Sequence, residues 1–191
     1  MKKIAQTDSR VILVDNPVNE GKGSAIRNGV LHSHGDIVLY TDCDLAYGVE
    51  QIKDMISFHI KNDCDITIGS RSIHSDGYAG YSWLRKLASK AYLKLIVFYS
   101  RCKQTDTQTG LKCLNGDTAR TVFLKCTVNR FAFDLEMLMI AQKLGASVAE
   151  FPVKVLYSDK ELNRKSSVHL IKDTLCMLRD IRNIKKRIKT I

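Results

Sequence analysis

"GDIVLYTDCDLA", residues 35 to 46, decides the fold. Ile37 to Tyr40 is an unbroken apolar run, the pattern of a strand buried on both faces of a parallel sheet. The run ends on two carboxylates one residue apart, Asp42 and Asp44. Like charges at the end of a buried strand repel each other and lose hydration unless a cation sits between them. In open α/β sheets ligands collect beyond the carboxyl ends of the strands, which makes the pair a candidate cation site. Residues i and i+2 of extended backbone point to one side, so both carboxylates would reach one Mg2+ or Mn2+. Such ions take few protein ligands and complete their shells with water and phosphate oxygens. Taken alone, D-x-D is equally the look of a surface loop with two solvated acids.

The flanking sequence alternates strand and helix signals. "RVILV" (10–14) reads as a strand. "GKGSAIRNGVLHSHG" reads as a helix with Ser24 as N-cap and Gly35 as its stop. "VEQIKDMISFHIKN" places Ile52, Met55, Ile56 and Ile60 on one helical face. "CDITIGSR" is a second buried strand. "SWLRKLASKAYLKLIVFY" is a helix whose core face is read as Leu84, Leu87, Ala88, Ala91, Tyr92, Leu95 and Ile96. "TGLKCLN" is a short strand, "DTARTVFLKC" and "DLEMLMIAQKLG" are helices, and "ASVAEFPVKVLY" is extended. From about Ser167 onward the chain reads as one long basic amphipathic helix. Strand, helix, strand, helix, strand points to a parallel α/β sheet flanked by helices.

Composition sets the frame. The 191 residues are 45% hydrophobic and 26% charged, and they include only two prolines. That is one ordinary domain with a real core and no linker. No apolar run reaches the length of a membrane span, and "MKKIAQTDSR" lacks the apolar stretch of a signal peptide. The six cysteines form no C-x-x-C pair, so they read as reduced thiols of a cytosolic protein rather than zinc or redox groups. The net charge of +10 calls for an anionic partner, whether phosphorylated substrate, anionic membrane or nucleic acid. Nucleic acid is disfavoured, because aromatics are 7% of the chain and absent from the basic tail.

Basic residues lie near the carboxylate pair in sequence order. "NEGKGSAIRNG" sets Lys22 between two glycines before a helix, where amides and an ammonium suit a phosphate. It lacks the Walker spacing and is also an ordinary glycine-rich helix start. "GSR" brings Arg71 to the end of the next strand. Arg85 and Ser89, one turn apart on the following helix, can face the same rim.

With these motifs assembled, the chain resembles the family 2 inverting glycosyltransferases of GT-A fold. The branch is that of the dolichyl-phosphate glucose and mannose synthases and the bacterial polyprenyl-phosphate glycosyltransferases. The matching stretches are "NEGKGSAIRNG", "GDIVLYTDCDLA", "IGSR", "SWLRKLASKAY", "DTQTGLKCLN", "RFAFDLEMLMIAQKLG" and "KSSVHLIKDTLCML". They follow the family's order from about residue 11 to 183. The resemblance implies a GT-A, Rossmann-like, mostly parallel sheet flanked by helices. It implies that Asp42 and Asp44 hold the metal, Mg2+ or Mn2+, and that Asp42 also meets the donor diphosphate. Arg71, Arg85 and Ser89 match positions that hold the donor and the acceptor phosphate. Asp106 and Gln108, in "DTQTG", match the catalytic segment beside the transferred sugar, and Asp134 and Glu136, in "FDLE", the carboxylates that follow it. Arg164, in "RKSS", belongs to the loop that approaches the acceptor. Phe131 and Phe133 also read as plain core packing, and Asp134 also as an N-cap.

The reaction so implied is attack by a polyprenyl phosphate on a nucleotide-diphosphate sugar. A phosphate monoester, with its second pKa near ~6, is already an anionic nucleophile. Orientation and neutralisation of the leaving diphosphate would then carry the catalysis, with Asp106 as a base or a sugar-orienting group. The expected division is a glycosyltransferase domain, 1–166, and a membrane-surface helix, 167–191. That helix would rest its apolar side, Leu178, Ile181, Ile184 and Ile188, on anionic lipid at the cytoplasmic face of the membrane. The opening strands usual in the family have no counterpart before residue 10. The sequence therefore suggests an N-terminally incomplete sheet and a poor enzyme in isolation. A second copy of the chain or an N-terminal complementing fragment would complete it; a non-catalytic glycosyltransferase-like protein is the alternative.

Overall fold

The computed structural model describes residues 2–44, 46–78, 83–156 and 170–190, without the side chains of 84, 85 and 170–173. The elements run α1 (Lys2–Thr7), α2 (Lys22–Leu31), β1 (Ile37–Thr41), α3 (Gly48–Asn62), β2 (Ile66–Ser70) and α4 (Trp83–Ser100). They continue with β3 (Leu111–Asn115), α5 (Gly116–Lys125), α6 (Phe133–Lys143), β4 (Val148–Pro152) and α7 (Leu170–Ile188).

The four strands form one sheet in the order β1-β3-β2-β4. β2 and β4 are parallel, while β3 runs antiparallel to both β1 and β2. β1, β2 and β4 thus share one direction, but two of the three ladders are antiparallel, so the sheet is mixed rather than mostly parallel. β3 is the exception because the segment between α4 and β3 returns to the rim where β2 ended, so the new strand leaves from that rim. Central β2 is buried throughout, and edge strand β1 alternates, with Val38 and Tyr40 buried and Ile37 and Leu39 only partly covered on the other face.

Period-2 alternation divides the strands between two cores. Val38 and Tyr40 of β1 join Ile66, Ile68 and Leu114 in a large cluster with α5, α6 and α7. Leu111 and Cys113 face the other way, onto Met55 of α3 and Val153. By its register opposite Tyr40, Lys112 points into the larger core.

Several expectations are corrected here. Residues 10–14 pair with no described strand, and Ile12 is 70% exposed; apolar β-branched residues make a strand only where a ladder receives them. Ser24 does not cap α2. The helix starts at Lys22 after Gly21, and Ser24 lies inside it, donating to Glu20 Oε2 at 2.7 Å. On α4 the buried residues include Leu93 and Ile96, while Leu87 points outward. Most consequential is α7. Met177, Ile181, Ile184 and Ile188 are buried in the main core with Leu178 packed against it. The apolar side assigned to lipid is therefore used within the fold, and α7 belongs to the same core as the rest.

Candidate active site

Three chain segments meet at one rim of the sheet. β1 and β2 end there, and antiparallel β3 begins there. Asp42 follows β1 directly, with its amide donating to the Gly110 carbonyl at 3.1 Å. Its carboxylate lies across Gly110 so closely that a Cβ at that glycine would fall 1.9 Å from Oδ2. Asp44 stands in a turn, not in the extended backbone that would align it with Asp42, and its Oδ1 accepts from the Ala46 amide at 3.1 Å. The two acids nonetheless share one short loop at the strand end.

Lys22 reaches this loop from α2, its Nζ 2.5 Å from Asp42 Oδ1 and 5.7 Å from the Phe133 ring centroid. The first amides of α2 are not available to a phosphate: Gly23 and Ser24 both donate to the Asn129 carbonyl. Gly23 permits that approach, since a Cβ there would meet Val128 O at 2.5 Å. The phosphate cradle expected at "GKGS" thus reduces to the Lys22 ammonium.

Arg71, immediately after β2, grips Asp106 in a fork. Nε donates to Oδ2 at 2.7 Å, Nη2 to Oδ1 at 3.0 Å, and the Arg71 amide to Oδ2 at 3.1 Å. Asp106 is fully buried. Burial pushes its carboxyl up, but the Arg71 charge and hydrogen bonds, aided by Lys112, win and hold it below the usual carboxylate range. A carboxylate so held is a weaker base, which favours the orienting role over the base role among the two expected of Asp106, and it fixes the guanidinium. Two residues on, Gln108 carries a buried Nε2 with no hydrogen-bond partner among the described residues, as do the Thr41 and Thr107 hydroxyls. Buried donors of this kind are normally satisfied, and these three flank the rim loop.

Asp134 and Glu136 lie deeper. Asp134 Oδ1 accepts from Lys112 Nζ at 2.6 Å and from the Tyr40 hydroxyl at 2.8 Å. It is not an N-cap, because α6 is preceded by Ala132 with no side-chain cap. Lys112 is fully buried and also donates to the Thr109 carbonyl at 2.5 Å. Burial lowers its pKa, with Asp134 opposing that shift; burial and then Asp134 push the Tyr40 phenol up. Glu136 is corrected from a substrate ligand to a brace. It is fully buried and accepts from the Thr127 and Val128 amides at 2.9 and 2.8 Å and from Arg187 of α7. Phe133 is core, whereas Phe131 is 70% exposed.

Beside Arg71 opens a cavity of about 190 Å3, lined by Ser72, His74, Tyr78, Lys86 and Lys90 among others. Ser89 is half-buried on α4, the Arg85 side chain lies outside the described residues, and so does Arg164. Lys112 and Tyr40 escaped the sequence reading. The available signal was a lysine inside the apolar strand "LKCLN".

Residues 1–124 match the family model described as glycosyl transferase family 2. A Dictyostelium discoideum dolichyl-phosphate beta-glucosyltransferase is 35% identical over 153 residues, covering 78% of this chain and 47% of its own. The Homo sapiens protein of that name is 33% identical over 141 residues, 71% of this chain and 44% of its own. The chain spans about half the length of the curated relatives it matches. Among solved structures, glucosyl-3-phosphoglycerate synthase of Mycobacterium tuberculosis, in complex with Mn2+, UDP-glucose and glycerol 3-phosphate, superposes with a TM-score of 0.56. The identity is 14%, over 95% of this chain and 58% of that one. Mannosyl-3-phosphoglycerate synthase of Rubrobacter xylanophilus gives a TM-score of 0.55 at 18% identity, over 88% and 53% of the two chains. These neighbours share the GT-A fold.

Proposed function

The chain belongs to glycosyl transferase family 2, and from that premise we propose that it acts in sugar transfer from a nucleotide-diphosphate donor to a polyprenyl phosphate at a membrane surface. The observation that carries this reading is one rim with both kinds of charge: Asp42 and Asp44 after β1 with Lys22 against Asp42, and Arg71 after β2 held by Asp106. The names of the similar dolichyl-phosphate enzymes support the lipid acceptor.

The donor set fits a hard divalent cation. Asp42 and Asp44 offer carboxylate oxygens from one short loop at the end of β1, two protein ligands that leave room for water and phosphate oxygens. An open site of that kind suits Mg2+ or Mn2+ shared with phosphate oxygens. Such an ion supplies charge neutralisation for the leaving diphosphate. The Mn2+ complex of the structural neighbour is consistent with that choice.

The chain's own residues do the rest. Arg71, fixed by Asp106, presents a guanidinium whose direction is set before substrate arrives, so little is lost to reorganisation. Lys22 supplies a second cation at the diphosphate side. Gln108 offers its Nε2 donor to a sugar hydroxyl. No strong base is needed, because the acceptor phosphate is an anion at neutral pH. A base role for Asp106 is therefore dispensable, in keeping with its depressed pKa.

Calorimetric titration with Mn2+ and a panel of nucleoside diphosphates tests the site. Asp44→Asn should weaken metal-dependent nucleotide binding at least tenfold while circular dichroism stays unchanged. Equal affinities in both proteins would sink the assignment.

A further inference from the structure

Helix α4 presents to solvent a stripe that belongs inside. It packs on the core through Leu93 and Ile96, which are 4% and 0% exposed. At about 100° per residue, the period of an α-helix, Trp83, Leu87, Lys94 and Phe98 fall together on the opposite side. Trp83 is 71% exposed, Leu87 61% and Phe98 78%. Single exposed apolar residues are ordinary. Three of them spaced along about four turns of one helix, with exposed Ala91 and Lys94 between Leu87 and Phe98, make a mixed apolar and cationic face, and exposed apolar faces of that extent mark binding surfaces.

We propose that this outward face of α4 is the surface by which the protein docks on an anionic lipid bilayer, a role the sequence alone gave to α7. The inference rests on the lipid-acceptor reading above for its purpose but not for its physics. Charge complementarity selects the occupant. α4 contains Arg85, Lys86, Lys90 and Lys94 and no acid. Lys94 lies within the stripe itself. Lysine stems lie along apolar surface while their ammonium groups reach a polar boundary, and tryptophan prefers the same boundary. α7 packs beside α4 and exposes Arg179, Arg182 and Lys186, and these, with Lys189 just after it, extend the cationic area. A second copy suits the stripe poorly. A two-fold contact pairs a patch with itself, and Lys94 would be set against its own image without water. The geometry also serves the site: Lys90 lines the rim cavity and stands 5.9 Å from the Tyr78 ring, so α4 bears on both the bilayer and that cavity.

Trp83 is the only tryptophan in the chain, so its emission reports on this face alone. The full chain is titrated with vesicles of phosphatidylcholine, with and without phosphatidylglycerol, whose anionic surface attracts each nearby basic residue. Brominated acyl chains serve as quenchers. The expected result is a blue shift on anionic vesicles with quenching of Trp83. Leu87→Glu and Phe98→Glu should each lose at least tenfold in partition coefficient with circular dichroism unchanged, as suits exposed positions. A blue shift that grows with protein concentration without lipid, alongside dimers in sedimentation, would overturn the proposal in favour of a second copy. Binding unaffected by both glutamates would overturn it in favour of α7 charge alone, and absent quenching would overturn it outright. Sugar transfer to detergent-dispersed polyprenyl phosphate is measured in parallel. Persistence of transfer without docking would reject this surface and leave the proposed function standing.

Discussion

The rim of the sheet and the outer face of α4 depart from ordinary partitioning in opposite directions. At the rim and in the core beneath it, Asp106, Lys112, Asp134 and Glu136 are charged groups held inside. On α4, Trp83, Leu87 and Phe98 are apolar groups held outside. The difference lies in what satisfies them. Each buried charge has a partner from the same chain: Arg71 for Asp106, Lys112 for Asp134, Arg187 for Glu136. The apolar stripe has no such cover among the described residues. The first region is thus settled by folding, whereas the second retains its hydrophobic free energy for an outside surface.

The sharpest way to break this contrast is at Lys112. Removing one partner of a buried pair strands the other charge and costs about 3–5 kcal/mol. Lys112→Met should lower stability by that order in urea titrations, and adding Asp134→Leu should restore most of it. A loss below about 1 kcal/mol would mean that water reaches Asp134 and that the network is not closed.

A smaller effect lies at the acid end of the pH scale. Asp106 titrates lower in the fold than in the unfolded chain, whose aspartates titrate near ~3.9. As pH falls the unfolded state takes up this proton first. The stability contributed by Asp106 is complete above about pH 5 and is lost as pH drops through its folded value. The urea midpoint of the wild type should therefore fall between pH 5 and 3 more steeply than that of Asp106→Asn. Equal slopes would show that Arg71 does not hold the ionised form.

The smallest effect belongs to α4. Phe98→Ser should change folding stability by no more than about 0.5 kcal/mol, the range of surface substitutions. A loss several times larger would show that the ring is packed and that the stripe is not an open face.

Sequence alone made the rim legible because its chemistry is local. "YTDCD", "GSR" and "DTQTG" each follow or precede a strand, and the topology brings strand ends together. What it did not disclose is who pairs with whom. Lys112 read as one polar residue in a short strand, and only the register opposite Tyr40 turns it toward Asp134. Glu136 carried a motif position yet braces the Thr127–Val128 backbone and α7. The two helices were misread for one reason. A periodic apolar stripe reveals that a helix has two faces but not which neighbour takes which. α7 places its stripe in the core. α4 has apolar residues around most of its circumference, so its core face was drawn too wide, with Leu87 inside it. Residues 10–14 have the composition of a strand, but β-propensity without a partner leaves coil. The reversed direction of β3 was invisible too, since periodicity carries no polarity.

The strand order has a consequence in time. Among the described residues the sheet has no hairpin: the shortest ladder pairing runs from Ile68 to Lys112, and β1 reaches across to the same β3. Closing such spans costs chain entropy before any strand hydrogen bond repays it. On a ribosome, which delivers about 5–20 residues per second, β1 and β2 emerge well before Leu111. Until then helices α2 to α4 can form and re-form locally, while both apolar strands travel without a partner, in need of shelter from one another and from neighbouring chains.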